Sequence, residues 1–214
     1  MVYVSLTFDD GFLRHYVIAK TLHRVGVSAS FYVPTGRTPF YDGKEGRLAA
    51  RPDLLGEMVD MGHEIGSHTH THRDLTLLSP MEIRLECQQS IEELNRILGS
   101  PSRTYGLAYP FCLFNEKVIR EVSKAFSYAR AGSYYNRWNT IPNPYAVGSF
   151  SPSRHLARIP LRAASAPTCP IVLQFHMEPL PLILSIVQVL RAMNLKIVPL
   201  KTSLTRLGIV TSSR

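Results

Sequence analysis

Residues 2–11 read VYVSLTFDDG, a run of β-forming residues that ends in two aspartates and a glycine. Apolar and small polar residues alternate from Val2 to Phe8, which is the pattern of a half-buried strand. Adjacent side chains of an extended chain point in opposite directions, so Asp9 and Asp10 would face different surroundings. One carboxylate could then bind a metal while the other faces a substrate. A plain Asp-Gly turn is the simpler alternative.

Short β-rich runs alternate with helical stretches along the rest of the chain. We expect further strands at residues 28–33, 63–67, 103–108, 126–131, 171–175 and 196–198. Helices are expected at 12–25, 51–61 and 80–98, from residue 115, and after residue 175. This order predicts one α/β domain over residues 1–214, a TIM-barrel-like (β/α) barrel of seven or eight strands. We expect a distorted barrel, because residues 132–170 contain six prolines and no regular pattern.

A histidine cluster follows the third predicted strand. HEIGSHTHTH, residues 63–72, holds four of the eight histidines. His68 and His72 are four residues apart, so a helical or turn-like segment would direct both to one side. A fully extended segment would align His70 with them, so the local turn decides. Two imidazoles and one carboxylate are a common catalytic zinc set that leaves a position for water.

TFDDG followed by HEIGSHTHTH resembles the first two motifs of the polysaccharide deacetylases, carbohydrate esterase family four. The second motif, His-Ser/Thr-x-x-His, matches residues 68–72. The resemblance implies that Asp9 is the general base and that three residues bind a divalent metal: Asp10, His68 and His72. Zn²⁺ is the expected ion and Co²⁺ the alternative. The other two histidines of the cluster would then be structural.

The third family motif is a proline followed by an aromatic residue and a glycine. It corresponds to AYPFC at residues 108–112, with Cys112 in the glycine position. The resemblance implies that the backbone N–H of Phe111 binds the oxyanion of the reaction. It also makes Tyr109 and Pro110 candidates for substrate contact.

Two later features depart from the family pattern. The polysaccharide branch has an arginine just before the third-motif proline, and this chain has Ala-Tyr there. Arg158 is therefore the candidate partner of Asp9, with Arg103 a weaker one. The aspartate-rich fourth motif is missing, since no aspartate follows Asp74. Trp138 is the candidate counterpart of its tryptophan and a candidate for substrate binding.

The fifth motif, an apolar strand that ends in histidine, corresponds to IVLQFH and ends at His176. Family analogy makes His176 the general acid, and a packed histidine is the alternative. Four aromatic residues of the irregular segment could stack on sugar rings or pack under the loop: Tyr134, Tyr135, Trp138 and Tyr145.

These features predict a metal-dependent amide hydrolase that acts on carbon–nitrogen bonds other than peptide bonds. Its expected reaction removes acetyl groups from N-acetylglucosamine oligo- or polysaccharides through a metal-bound water. Two alternatives remain: hydrolysis of a small non-sugar amide at the same site, and a non-catalytic metal-bearing glycan-binding module.

Composition limits the partners and the compartment. The net charge is +8, and residues 122–214 hold 11 basic side chains and one acidic one. This basic surface could attract an anionic partner or simply be solvated. No nucleic-acid motif accompanies the charge, and no apolar run is long enough to suggest a membrane span. Three widely spaced cysteines and a strand-like N-terminus without a leader favour a cytoplasmic protein.

Overall fold

The structure, a computed structural model, describes residues 2–36, 46–99, 105–132, 143–152 and 169–211. Within these ranges the strands are β1 Tyr3–Phe8, β2 Ser30–Val33, β3 Glu64–Ser67, β4 Gly106–Ala108, β5 Tyr128–Ala131, β6 Val147–Gly148, β7 Ile171–Phe175 and β8 Lys196–Ile197. The α-helices are α1 Arg14–Arg24, α2 Pro52–Asp60, α3 Pro80–Leu98, α4 Glu116–Val122, α5 Leu180–Ala192 and α6 Leu200–Arg206. Short 3₁₀ helices cover Leu48–Ala50, Leu75–Leu77 and Pro110–Cys112.

The strands form one parallel sheet in the order β6-β5-β4-β3-β2-β1-β7. Phe150, two residues after β6, pairs in parallel with Leu173 of β7 and brings the two edges of the sheet together. Its backbone N–H donates to the carbonyl oxygen of Val172 at 2.8 Å. β8 pairs with the first residues of β1, Tyr3 and Val4. The predicted distorted (β/α) barrel is confirmed.

Alternation along β1 separates the helix-facing core from the barrel interior. Val4, Leu6 and Phe8 belong to the large apolar cluster that includes the buried faces of α1 to α5. The ring of Phe8 stacks between those of Phe31 and Phe175, at centroid distances of 4.8 and 5.0 Å. The intervening side chains of β1 are small and polar, and Asp9 continues their row.

A second apolar cluster shows how α6 closes one end of the barrel. Leu200 and Leu204 pack there with side chains of the strands, including Tyr32, Tyr128 and Val172. The opposite end, formed by the carboxyl ends of the strands, carries Asp9, Asp10, His68 and His176, each of which comes one or two residues after a strand. Enzymes with parallel barrels place their sites at this end.

Most predicted elements are confirmed, with ends that differ by a few residues. The capping box at the start of α3 is present, because Ser79 Oγ accepts from the N–H of Glu82 and the Glu82 side chain accepts from the N–H of Ser79. Strand β6 was missed, since two residues are too few to display a period of two. Among the described helices, none has the length and apolarity needed to cross a bilayer.

Candidate active site and metal centre

Asp10, His68 and His72 meet at the carboxyl ends of β1 and β3. Their ligand atoms form a nearly equilateral triangle: His68 Nε2 is 3.2 Å from His72 Nε2, and each is 3.4 Å from Asp10 Oδ1. Burial alone would raise the pKa of Asp10, but the two neighbouring imidazoles outweigh burial and hold that pKa well below its usual range. The triad therefore presents a charged carboxylate beside two ring nitrogens.

These residues fit a divalent ion such as zinc. A tetrahedral ion with bonds of about 2.0–2.2 Å separates its ligand atoms by roughly 3.3–3.6 Å, close to the sides of this triangle. His68 Nδ1 lies 2.8 Å from the carbonyl oxygen of Ala108. Because a carbonyl only accepts, Nδ1 carries the proton and Nε2 keeps its lone pair toward the triad. His68 could therefore bind such an ion beside Asp10 and His72 without a change of its own tautomer.

The turn from residue 68 to residue 72 brings the two imidazoles together. Thr69 and His72 have positive φ angles of 64° and 58°, so the segment is neither extended nor a regular helix. The buried carboxylate of Glu86, on α3, accepts from the backbone N–H groups of His70 and Thr71 at 3.1 and 2.8 Å. Glu86 thereby closes the turn, and the turn-like alternative is the one that the structure adopts.

The other two histidines of the cluster make local contacts. His63 donates Nε2–H to the carbonyl oxygen of Ala19 at 3.0 Å, and its Nδ1 accepts from the N–H of Ala29 at 3.1 Å. His70 Nδ1 lies 3.0 Å from the Thr35 hydroxyl. His63 therefore joins the start of β3 to α1 and to the residue before β2, whereas His70 supports the turn beside the triad.

Asp9 faces the barrel interior, where it meets Arg130 at the end of β5. One nitrogen of Arg130, Nη2, donates to both Asp9 oxygens. The side chains of Arg130 and Asp9 are 0% and 2% exposed, so both charges are shielded from water. Burial alone would lower the pKa of Arg130, but the Asp9 charge outweighs it and raises that pKa. The guanidinium stays charged.

Gln174 and His176 complete the surroundings of Asp9. Gln174 Nε2–H donates to Asp9 Oδ2 at 2.9 Å, and its Oε1 lies 2.8 Å from the Ser149 hydroxyl. His176 Nε2 is 3.7 Å from Asp9 Oδ2 and 3.4 Å from Gln174 Nε2. The His176 side chain is 45% exposed, so its ring faces both the carboxylate and the solvent.

A buried histidine supports the end of β7. His15 Nε2–H donates to the carbonyl oxygen of His176 at 2.8 Å, and its ring packs against those of Phe8, Phe12 and Phe31. Burial lowers the pKa of His15 to about 4, which leaves the ring neutral at physiological pH. His15 therefore anchors the residue that sequence analogy makes the general acid.

The third motif is held in a left-handed conformation. Phe111 and Cys112 have φ angles of 55° and 59°, and the Phe111 ring makes an edge contact with that of His72 at 4.9 Å. Glycine adopts such angles without strain, which agrees with Cys112 in the glycine position. Of the six non-glycine residues with positive φ in the described ranges, five lie around this site, where backbone strain commonly concentrates.

Most predicted site residues line one cavity of about 450 Å³: Asp9, Asp10, His68, His72, Tyr109, Phe111 and His176, together with Cys112 and Gln174. Pro110 is buried beside it. Trp138, Arg158 and Arg103 lie outside the described residues, and the described arginine that contacts Asp9 is Arg130. Tyr145 packs against the large apolar cluster, and its hydroxyl donates to the carbonyl oxygen of Phe126 at 3.2 Å.

Sequence reasoning missed Arg130, Gln174 and Glu86. A local signal marks the first two, because Arg130 lies inside the short buried strand YARA and Gln174 inside the short buried strand IVLQF. Such side chains are rarely buried without a partner. Glu86 gave no comparable signal, since one charged residue beside an apolar helix stripe is common.

Comparisons with known proteins show the family of the chain. A family model described as polysaccharide deacetylase matches residues 2–129. The peptidoglycan-N-acetylmuramic acid deacetylase PdaA of Bacillus subtilis is 31% identical over 123 residues, 56% of this chain and 43% of that protein. A chitooligosaccharide deacetylase of Bradyrhizobium is 29% identical over 147 residues, 67% of this chain and 58% of that protein. The chain therefore spans about half the length of these relatives.

The fold itself has a counterpart over nearly the whole chain. The Xyl-CE4 domain of a multidomain xylanase, from the hindgut metagenome of Trinervitermes trinervoides, superposes with a TM-score of 0.67 at 17% identity. The superposition covers 97% of this chain and 91% of that domain. The family match ends one residue before Arg130 and does not include His176.

Proposed function

Because the chain belongs to the polysaccharide deacetylase family, we propose that it hydrolyses the acetamide group of N-acetylated sugars, with N-acetylglucosamine oligo- or polysaccharides as substrates. One observation carries the proposal: the Asp10–His68–His72 triangle shares a single cavity with Asp9 and His176. A structural histidine cluster would need neither a buried base at its edge nor a half-exposed imidazole. The names of the relatives, deacetylases of glycan acetamides, support the same reaction.

The donor set favours Zn²⁺, with Co²⁺ as the alternative, since imidazole with one carboxylate suits both ions better than Mg²⁺. When bound, such an ion would supply Lewis-acid polarisation of the acetamide carbonyl and increase the acidity of water. Asp10, His68 and His72 would hold it, and the Ala108 carbonyl would orient His68.

The residues of the chain divide the proton transfers between them. Asp9 takes a proton from the attacking water as the water oxygen bonds to the carbonyl carbon, and Arg130 and Gln174 hold that carboxylate in position. The N–H of Phe111 donates to the oxyanion. Protonated His176 delivers a proton to the nitrogen as the carbon–nitrogen bond breaks, so that acetic acid and a free amine leave. The acid ionises to acetate, and Asp9 and His176 return to their starting forms by proton exchange with the solvent.

Acetate release from N-acetylglucosamine oligomers tests the proposal. The protein is first treated with a chelator and then assayed with and without added Zn²⁺ or Co²⁺. We expect release only with metal, and a loss of at least about 100-fold in Asp9→Asn, which removes a general base. Metal binding by Asp9→Asn, measured by calorimetry, should be unchanged because Asp9 is outside the triad.

Two comparisons make the result specific. Asp10→Asn should lose metal binding and activity together, whereas Asp9→Asn should lose activity alone. Peptidoglycan fragments and an acetylated polyamine are assayed beside the oligomers. Activity on the polyamine alone would move the function to small non-sugar amides, and metal binding with no acetate release from any substrate would indicate a glycan-binding module. The cytoplasmic location stays a prediction.

A further inference from the structure

A line of side chains crosses the barrel interior from Asp9 to the opposite end. The Arg130 guanidinium lies over the ring of Tyr32, with Cζ 5.5 Å from the ring centroid. The Tyr32 hydroxyl is 2.8 Å from that of Tyr128, which donates to Glu64 Oε1 at 2.6 Å. These side chains form an interior column of four residues: Arg130, Tyr32, Tyr128 and Glu64. None of the last three lines the candidate active-site cavity.

The hydrogen bonds of the interior column run in one direction. Glu64 Oε2 accepts from the Ser30 hydroxyl at 2.6 Å and from the N–H of Lys201 at 3.1 Å, so this carboxylate serves as an acceptor. Tyr128 gives its single hydroxyl proton to Glu64, and Tyr32 must therefore donate to Tyr128. Burial and the Glu64 charge raise the pKa of both tyrosines, which keeps the hydroxyls protonated.

Two glycines make room for the tyrosine rings. A Cβ atom at Gly66 of β3 would lie 2.6 Å from the Tyr32 ring, and one at Gly106 of β4 would lie 2.0 Å from the Tyr128 ring. Any other residue at either position would displace a ring. Glycine within a strand commonly marks such a close approach. The tyrosine pair therefore fills space that two neighbouring strands leave open.

The contact between Arg130 and Asp9 does not by itself fix the guanidinium. Only Nη2 reaches Asp9, whereas Nη1 lies 3.3 Å from the Ser149 hydroxyl. Arg130 Nε has no hydrogen-bond partner among the described residues. Nη1 also contacts Cys112 Sγ at 3.9 Å, so the hydrogen bonds hold the two terminal nitrogens, and the plane of the guanidinium can still rotate about the line between them. The face of the Tyr32 ring attracts the cation and limits this rotation.

We propose that Tyr32, Tyr128 and Glu64 are positioning residues that hold Arg130, and through it the Asp9 carboxylate, in the geometry needed for acetamide hydrolysis. The inference rests on the proposed function for the role of Asp9. The anchor of the interior column is α6, since Glu64 binds the N–H of Lys201 and Ser30 Oγ accepts from that of Leu200 at 2.8 Å. A change at this end of the barrel should therefore affect catalysis at the other.

Tyr128→Phe tests the inference because it removes one oxygen atom and leaves the ring in place. We expect kcat to fall about tenfold, since small displacements of a catalytic group have effects of this order or larger. KM should change less than about twofold, because substrate binding does not involve the interior column. Tyr105→Phe is the matched control: that tyrosine is also buried, and its hydroxyl donates to Asn95 Oδ1 at 3.0 Å. The control should leave kcat within about twofold.

A second readout does not depend on activity. Protein labelled with ¹⁵N-arginine gives side-chain resonances, and the Arg130 signal is assigned by its loss in Arg130→Lys. We expect Tyr128→Phe to shift or broaden this signal and Tyr105→Phe to leave it unchanged. If Tyr128→Phe does not fold, Glu64→Gln keeps the shape and one of the two acceptor oxygens while removing the charge. It should change kcat and the Arg130 signal in the same direction by smaller amounts.

The outcomes separate the two proposals. A wild-type protein that releases no acetate refutes the proposed function, and the Arg130 signal still decides whether the interior column positions the guanidinium. An active wild type whose kcat and Arg130 signal are both unaffected by Tyr128→Phe overturns the interior column. Equal losses in Tyr128→Phe and Tyr105→Phe would also overturn it, because they would indicate general destabilisation.

Discussion

Replacement of Arg130 by methionine would leave the Asp9 carboxylate buried without its cation. Both side chains of this pair are almost fully inaccessible to water. Removal of one partner from a buried ion pair costs about 3–5 kcal/mol, because a charge remains in a poorly polarisable site. Gln174 Nε2 still donates to Asp9 at 2.9 Å, so we expect the lower end, about 3 kcal/mol. For a protein of this size, that loss lowers Tm by roughly 6–12 °C.

A second substitution separates the ion pair from simple packing. Asparagine at position 9 is neutral and needs no cation, so Asp9→Asn should recover most of the stability that Arg130→Met loses. The expected interaction free energy between the two positions is about 2 kcal/mol. Urea denaturation of the metal-free proteins, monitored by circular dichroism, gives the free energy of unfolding for the wild type, both single variants and the double variant.

The matched control is Arg84→Met. Arg84 forms an ion pair with Glu121 at 2.9 Å, but its side chain is 47% exposed, so we expect a loss of less than about 1 kcal/mol. The interpretation of Arg130 fails if Arg130→Met costs no more than Arg84→Met. It also fails if the double variant is less stable than Arg130→Met, since the buried charge would then not be the cause of the loss.

Three further predictions concern groups around the site and at a helix start. Burial lowers the pKa of His15 from its ordinary 6.5 to about 4, so between these pH values the unfolded chain binds a proton that the folded protein does not. The stability present above pH 6.5 is therefore lost as the pH falls toward 4. His15→Gln should reduce this loss in the free energy of unfolding by about 2 kcal/mol, measured by urea denaturation at about pH 7 and pH 4.5. Because Cys112 has a φ of 59°, Cys112→Gly should keep acetate release within about threefold, whereas a β-branched valine there should lose about tenfold or more. Ser79→Ala removes the hydroxyl that caps α3 and should lower the free energy of unfolding by about 1 kcal/mol without changing kcat.

The position of the metal triad could be predicted from the sequence because it depends on local patterns. Asp10 comes just after a strand with a clear alternating pattern and His68 just after the third strand, and parallel strands bring their carboxyl ends to one edge. His72 required knowledge of the turn, which Thr69 and Glu86 determine through a positive φ and a buried carboxylate. The family resemblance supplies the expected ligands, because spacing alone leaves His70 as an alternative, and the shape of their loop depends on Glu86 of α3.

Arg130 could not be identified in the same way because its partner is 121 residues away. The carboxyl-terminal half of the chain is rich in arginine, and spacing does not distinguish one arginine from another. The choice depends on which residue of β5 faces the interior and on how closure at Phe150 and Leu173 sets the distance from β5 to β1. These are properties of the closed barrel. A lone arginine in a buried strand is a local clue only that some partner exists.

The altered third motif and the interior column both concern the arginine that pairs with Asp9. In this chain that arginine is Arg130 on β5, and the third motif has a tyrosine before its proline. Tyr109, next to the third-motif proline, is buried, stacks on Phe114 at 5.0 Å and donates its hydroxyl to the carbonyl oxygen of Tyr145 at 3.0 Å. An arginine before that proline would approach Asp9 from the cavity rim, where the loop itself could orient it. An arginine on β5 approaches through the interior, where uncompensated charge is costly and aromatic faces and hydroxyl dipoles are the available support. The tyrosine pair and the two glycines beside it are therefore what we expect when the cation comes from a strand.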